Sequence, residues 1–210
     1  MNISLLEAWT NEQLKNHDAS HDTIHANNVA RLCGIILEKE SKLKNNQILR
    51  DAVIAIAWTH DICDRKYVTN KEDVIGLICS KLSEIGMYEE SVSIVRQVVG
   101  AISFSARLAR VSEGIESGLP PQLDGDNLIA YQIVSDADML EAMGIVGMMR
   151  TFMYQAVNNH TSYSAFSHIQ NRLLLCKNYL CFEWSKTEGA CRHRAMENAC
   201  SHLLRERCPV

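Results

Sequence analysis

Apolar positions recur along most of this 210-residue chain with a period near 3.6, the signature of amphipathic helices. "ISLLEAWTNEQLK" reads as a short amphipathic opener. "HDTIHANNVARLCGIILEKESKL" places Ile24, Val29, Leu32, Ile36 and Leu43 at helical spacing. "NNQILRDAVIAIAWTHDI" is apolar nearly all round, which predicts a central buried helix closed by His60 and Asp61. "NKEDVIGLICSKLSEIG" and "YEESVSIVRQVVGAISF" keep the helical period and carry acids in their first turns, as a helix N-terminus favours. Helical patterns resume in "NLIAYQIVSDADMLEAMG", "VGMMRTFMYQAV", "FSHIQNRLLLCKNYLCF" and "TEGACRHRAMENACSHLLRERC". No alternating run of strand length stands out. One stretch breaks the pattern: Ser105–Asp126, with Gly114, Gly118, Gly125, Pro120 and Pro121, reads as one long loop. Loops of that length are often functional, for instance as lids.

Composition narrows the reading. Hydrophobic residues make up 47% and charged residues 22%, with three prolines, which excludes a disordered or collagen-like chain. The expected architecture is all-α, one helical-bundle domain over residues 1–210 with a long loop at about 105–126. The longest strongly apolar run, Ala52–Trp58, is too short to span a bilayer. The N-terminus shows no secretory pattern, so a cytoplasmic setting without membrane partners is expected. The net charge of −4 lacks the basic footprint of a nucleic-acid binder and leaves small molecules or proteins as partners. Eight cysteines without a C-x-x-C pair read as reduced thiols packed on helix faces.

Phosphate-loop, G-x-G-x-x-G, H-E-x-x-H, G-x-S-x-G and P-C-x-x-C motifs are missing, and "LDGDN" at Leu123–Asn127 reads as a turn. What remains is a set of histidines and aspartates on apolar faces. His25 lies four residues before Val29 and seven before Leu32. Asp61 follows Ala57 by four and Ile54 by seven, beside His60. Asp138 follows Val134 by four. Aspartates are rarely buried unless paired or bound to metal. Two imidazoles and two carboxylates form a plausible divalent-metal set with coordination positions left for water and a phosphate oxygen.

The order H…HD…D on separate helices resembles the HD-domain superfamily of metal-dependent phosphohydrolases. More specifically, "DASHDTIHANNVARL", "AWTHDICDRK", "SIVRQVVGAISFS", "IVSDADMLEAMGIVGMMRTFMY" and "TEGACRHRAM" resemble, in order, the blocks of a branch of small stand-alone bacterial-type HD hydrolases. Some members of that branch are manganese-dependent nucleoside triphosphate pyrophosphohydrolases. The resemblance implies His25, His60, Asp61 and Asp138 as ligands of one divalent ion, manganese first, with Mg, Co, Ni, Fe or Zn as other candidates. Asp136 is the second choice for the last ligand, since it would face elsewhere on a helix. Asp64 and Lys66 match acidic and basic positions that imply catalytic roles, Asp64 as acid/base. His21 and Asp22 match the branch's "SHD" and imply pocket residues. Arg65, Arg107 and Arg150 are candidate phosphate contacts, Arg107 from the start of the loop. Where the branch reads "DADRLDAIG", this chain has Met139 for the arginine and Glu141 for the last aspartate.

These readings converge on hydrolysis of a nucleotide by a metal-activated water, with triphosphate pyrophosphohydrolysis ahead of monophosphatase or phosphodiesterase activity. A degenerate module that binds metal or nucleotide without turnover is the alternative of another class. Oligomeric state is not legible.

Overall fold

Short polar side chains mark where several helices start. The computed structural model describes residues 1–15, 23–63 and 68–207. Asn2 accepts a hydrogen bond from the Leu5 amide and opens α1 (Ile3–Leu14). Asn46 does the same for α3 (Gln47–Thr59) through Leu49, and Asn70 for α4 (Lys71–Glu84) through Glu72. Ser103 opens α6 (Phe104–Ser112) and Thr161 opens α9 (Ser162–Asn171). Each cap satisfies an amide that the helix itself cannot pair. The other described helices are α2 (Thr23–Lys39), α5 (Glu89–Val98), α7 (Gly125–Ala142), α8 (Gly144–Val157) and α10 (Glu183–Arg207). Shorter 3₁₀ segments cover His60–Cys63, Val99–Ala101 and Leu173–Tyr179. The described residues contain no strand, so the fold is all-α.

α2, α3 and α7 pack together at the centre, and α5 covers α3 and α7. α10 lies against α7 and α8, and α9 against α8. α3 is buried almost all round, as its continuous apolar pattern predicts. Leu32, Ile36, Ile56, Ile133, Val134 and Leu140 are fully or nearly fully buried where the three central helices meet. Each such side chain contributes about 1.5–3 kcal/mol by leaving water. Truncating one, for example Ile56→Ala, removes that term and leaves a cavity, costing about 2–5 kcal/mol.

Two details depart from the pattern read along the chain. Ile24 is 70% exposed, because it shares its side of α2 with Asn27 and Arg31 while His25, Ala26 and Val29 face inward. Leu43 packs from a turn beyond the end of α2.

The stretch Ser105–Asp126 is a larger correction. Its first part is helical, since Ser103 caps α6, and the non-helical loop is confined to residues 113–124. That loop is tied down: Arg107 Nε donates to Ser117 O (3.2 Å) and Arg110 Nε to Gly118 O (2.7 Å). Gly118 adopts φ +63°, and a Cβ there would sit 2.7 Å from Arg107 O, so only glycine fits. "LDGDN" is where α7 begins, with Gly125 at φ +47°. No single helix among the described residues is long and apolar enough to cross a membrane. The seven described cysteines are unpaired thiols.

Candidate metal centre

Three elements bring the HD-type residues together. His25 stands in the first turn of α2. His60 and Asp61 stand in the 3₁₀ turn that tightens the end of α3, where Thr59 Oγ1 donates to Ala55 O (2.7 Å). Asp138 lies near the end of α7. His25 Nε2 is 3.4 Å from both Asp61 Oδ2 and Asp138 Oδ1, and His60 Nε2 is 3.4 Å from Asp61 Oδ1. The two imidazoles meet edge to face, 5.3 Å between ring centres. His25, His60 and Asp61 each offer a ligand atom within 4.8 Å of the others. His25 is 5% and Asp61 7% exposed, while the Asp138 side chain is a quarter exposed and forms the open edge.

The outer atoms of both rings are held. His60 Nδ1 lies 2.9 Å from Ala57 O and His25 Nδ1 3.0 Å from Glu141 Oε2. A carbonyl or carboxylate oxygen can only accept, so we assign a proton to each Nδ1; Arg150 Nη1, a donor 3.1 Å from His25 Nδ1, then gives its proton to Glu141 Oε2 and not to the ring. Both Nε2 atoms then face inward, toward carboxylates. His60 Nε2 and Asp61 Oδ2 are buried without a hydrogen-bond partner among the described residues, and the 3.4 Å separations exceed a good hydrogen bond. Orphaned buried donors and acceptors are costly. With neutral imidazoles the group carries the two charges of Asp61 and Asp138, since Glu141 is paired with Arg150. Two inward nitrogens, two carboxylates and a charge of about −2 fit a divalent cation.

Burial works against ionising Asp138. The close approach of His25 and the fields of His60, His25 and Arg150 outweigh it and hold the carboxyl down, to about 2. Burial, with the field of Asp138 added, pushes the thiols of Cys33 and Cys176 up, which keeps them protonated and inert beside the site.

Asp136 serves elsewhere. Its carboxylate accepts from the amides of Cys181 (2.9 Å) and Phe182 (3.0 Å), at the start of α10. Two residues along a helix are about 200° apart, which separates this cap from Asp138.

Arg107, expected as a mobile phosphate contact, is 3% exposed within α6. Its guanidinium donates to Ser117 O and Ser135 Oγ and stacks on Tyr179, none of which belongs to the His25 group. Arg150, from α8, does reach the group: it forms an ion pair with Glu141, and its Nη1 lies 3.1 Å from His25 Nδ1. His21, Asp22, Asp64, Arg65 and Lys66 lie outside the described residues.

Glu141, marked in the sequence only as a departure from the branch pattern, stands at the site. It is buried and touches His25, Arg150 and Asn28. Its signal was available: it follows Asp138 by three, the spacing that puts both on one helix face.

An HD pair at the end of a buried helix, joined by a histidine and an aspartate from its two neighbours, is set in a fold shared with HD-superfamily hydrolases. The chain superposes on an HD-superfamily hydrolase from Bacillus thuringiensis with TM-score 0.71, at 21% identity, covering 99% of this chain and 97% of that one. It superposes on Bacillus subtilis YpgQ in complex with ADP with TM-score 0.72, at 22% identity, covering 98% and 97%. By sequence, the uncharacterized protein YpgQ of Bacillus subtilis (strain 168) is 27% identical over 195 residues, 91% of this chain and 86% of that protein. No family model matches the chain.

Proposed function

We propose that this protein is a divalent-metal-dependent phosphohydrolase of nucleotides, and that it cleaves nucleoside triphosphates to a monophosphate and pyrophosphate. The observation that carries the reading is a pair of buried atoms without a hydrogen-bond partner among the described residues, His60 Nε2 and Asp61 Oδ2, in the group of His25, His60 and Asp61 with Asp138 3.4 Å from His25 Nε2. His25, His60, Asp61 and Asp138 would hold the ion, with manganese first. When bound, a divalent ion lowers the pKa of a coordinated water and polarises a phosphoryl oxygen. The ADP held by YpgQ supports a nucleotide as substrate, and the resemblance of the sequence blocks to a branch with pyrophosphohydrolase members favours the triphosphate.

The chain's own residues divide the remaining work. Arg150, with a side chain 21% exposed, stands where it can offset phosphate charge beside the ligand set. Asp64 would orient the attacking water or protonate the leaving oxygen, and Lys66 with Arg65 would neutralise the phosphates. His21 and Asp22, just before α2, would line the pocket near His25. A nucleotide substrate and unpaired thiols fit a cytoplasmic setting.

The test is a panel of nucleoside mono-, di- and triphosphates with Mn²⁺, products separated by chromatography. Monophosphate and pyrophosphate from a triphosphate are expected. Orthophosphate and nucleoside from a monophosphate, with triphosphates intact, would replace this reading with a nucleotidase. Tight Mn²⁺ binding without turnover of any of them would point to a binding module.

A further inference from the structure

We infer that Glu141 is a positioning residue: it fixes the tautomer and orientation of His25 and keeps Arg150 beside it. The consequence for metal affinity rests on the metal-centre reading above; the tautomer does not. The geometry accounts for each oxygen. Oε2 takes the His25 Nδ1–H at 3.0 Å and the Arg150 ion pair, and Oε1 lies 3.4 Å from Asn28 Nδ2. Both oxygens therefore meet donors on the outer edge of the His25 ring, while Asp61 and Asp138 face Nε2 on the inner edge. Glu141 cannot reach past the ring to the inner edge, so it supports a ligand and is not one. A neutral imidazole has a single ring proton, and a buried carboxylate at Nδ1 keeps it there. The lone pair is then left on Nε2, the atom pointed at the two aspartates. Without Glu141 the proton could move to Nε2 and hydrogen-bond to Asp61 or Asp138, closing the position a cation would take. The charge of Glu141 also makes Nε2 a stronger donor.

Arg150 completes the arrangement. Its side chain starts on α8, and the ion pair with Glu141 carries it to the edge of the site. It also balances the Glu141 charge, so that among the described residues the inner carboxylates set the charge presented to a cation.

The experiment uses ¹⁵N-histidine-labelled protein, stripped of metal, at mildly alkaline pH. NMR of the imidazole nitrogens reads the His25 tautomer, and titration with Mn²⁺ reads affinity. In the wild type His25 is expected as the Nδ1–H form. Glu141→Leu should lose that preference and bind Mn²⁺ about 10–100-fold more weakly. Glu141→Gln, whose amide oxygen can still accept from Nδ1–H, should keep the tautomer better and lose less affinity. An Nε2–H tautomer in the wild type overturns the inference whether or not any variant folds. So does a Glu141→Leu protein with wild-type tautomer and affinity. Loss of Mn²⁺ in Glu141→Gln as complete as in Asp61→Ala would make Glu141 a ligand and likewise overturn it. If the wild type binds no divalent ion, the metal reading fails while the tautomer still decides the role of Glu141.

Discussion

Asp136 and Asp138 stand two residues apart on α7 and should fail in opposite ways when replaced. Asp136→Ala removes the acceptor for the Cys181 and Phe182 amides, at 2.9 and 3.0 Å, where α10 begins. A lost N-terminal cap costs about 0.5–2 kcal/mol and an unsatisfied buried donor about 1–3 kcal/mol. The two amides together put the loss at about 3 kcal/mol. For a chain of this length that lowers Tm by about 6–12 °C. Asp136→Asn keeps one acceptor oxygen and should lose less. Asp138→Ala removes no backbone partner among the described residues, and a quarter of its side chain is already exposed, so the metal-free Tm should fall less. Added Mn²⁺ separates the two in the other direction. At about 100 times its Kd a bound ion stabilises the folded state by about 2.7 kcal/mol, which for this length raises Tm by about 5–11 °C. The wild type and both Asp136 variants should show that increment, and Asp138→Ala should not. The assay is thermal unfolding followed by circular dichroism, with chelator and with Mn²⁺. A full Mn²⁺ increment in Asp138→Ala, or its loss in Asp136→Asn, would refute the division of labour between the two aspartates.

Three further outcomes are expected. Asp64→Asn should lower turnover by about 10²–10⁴ while Mn²⁺ binding, read by isothermal titration, is retained; loss of the ion would make Asp64 a ligand instead. Arg107→Met keeps the stem but loses the bonds to Ser117 and Ser135, so stability should fall by about 1–3 kcal/mol with KM for triphosphates unchanged; a raised KM at unchanged Tm would restore Arg107 as a substrate contact. Burial pushes the Asp136 carboxyl above its ordinary value, against the pull of the Phe182 and Cys181 amides and of Arg107. The folded state then holds that proton more tightly than the unfolded chain, so this stabilisation is complete below about pH 3.8 and is lost as pH rises through the raised value. Denaturant unfolding of metal-free protein from about pH 4 upward should show the wild type losing stability relative to Asp136→Asn, and parallel curves would contradict the shift.

Much of the site was legible because its residues break a local rule. His25 and Asp61 are polar side chains on apolar helix faces, and burial of both follows from the spacing to Val29, Leu32, Ala57 and Ile54. Helix positions were legible for the same reason, since periodicity is a property of neighbours along the chain. Loop signals were less faithful: the glycines and prolines after Gly114 hid the fact that Ser103 caps a helix directly before them. Ile24 shows the limit on a smaller scale, because an apolar residue one position before His25 turns about 100° away from it.

The sequence by itself determined the all-helical architecture, the buried third helix and the His and Asp residues with reason to face inward. Only the tertiary structure decided which of them meet. Asp136 and Asp138 are chemically identical, and their different partners follow from where the start of α10 falls, 45 residues further along. The contact between His25 and Glu141 spans 116 residues, and the ion pair with Arg150 brings in a third helix. Arg107 read as an open cation in a loop because its partners, Ser135 and Tyr179, come from distant segments that fold over it. Local spacing sets which way a side chain points from its own backbone; the packing of helices around α3 sets what it finds there.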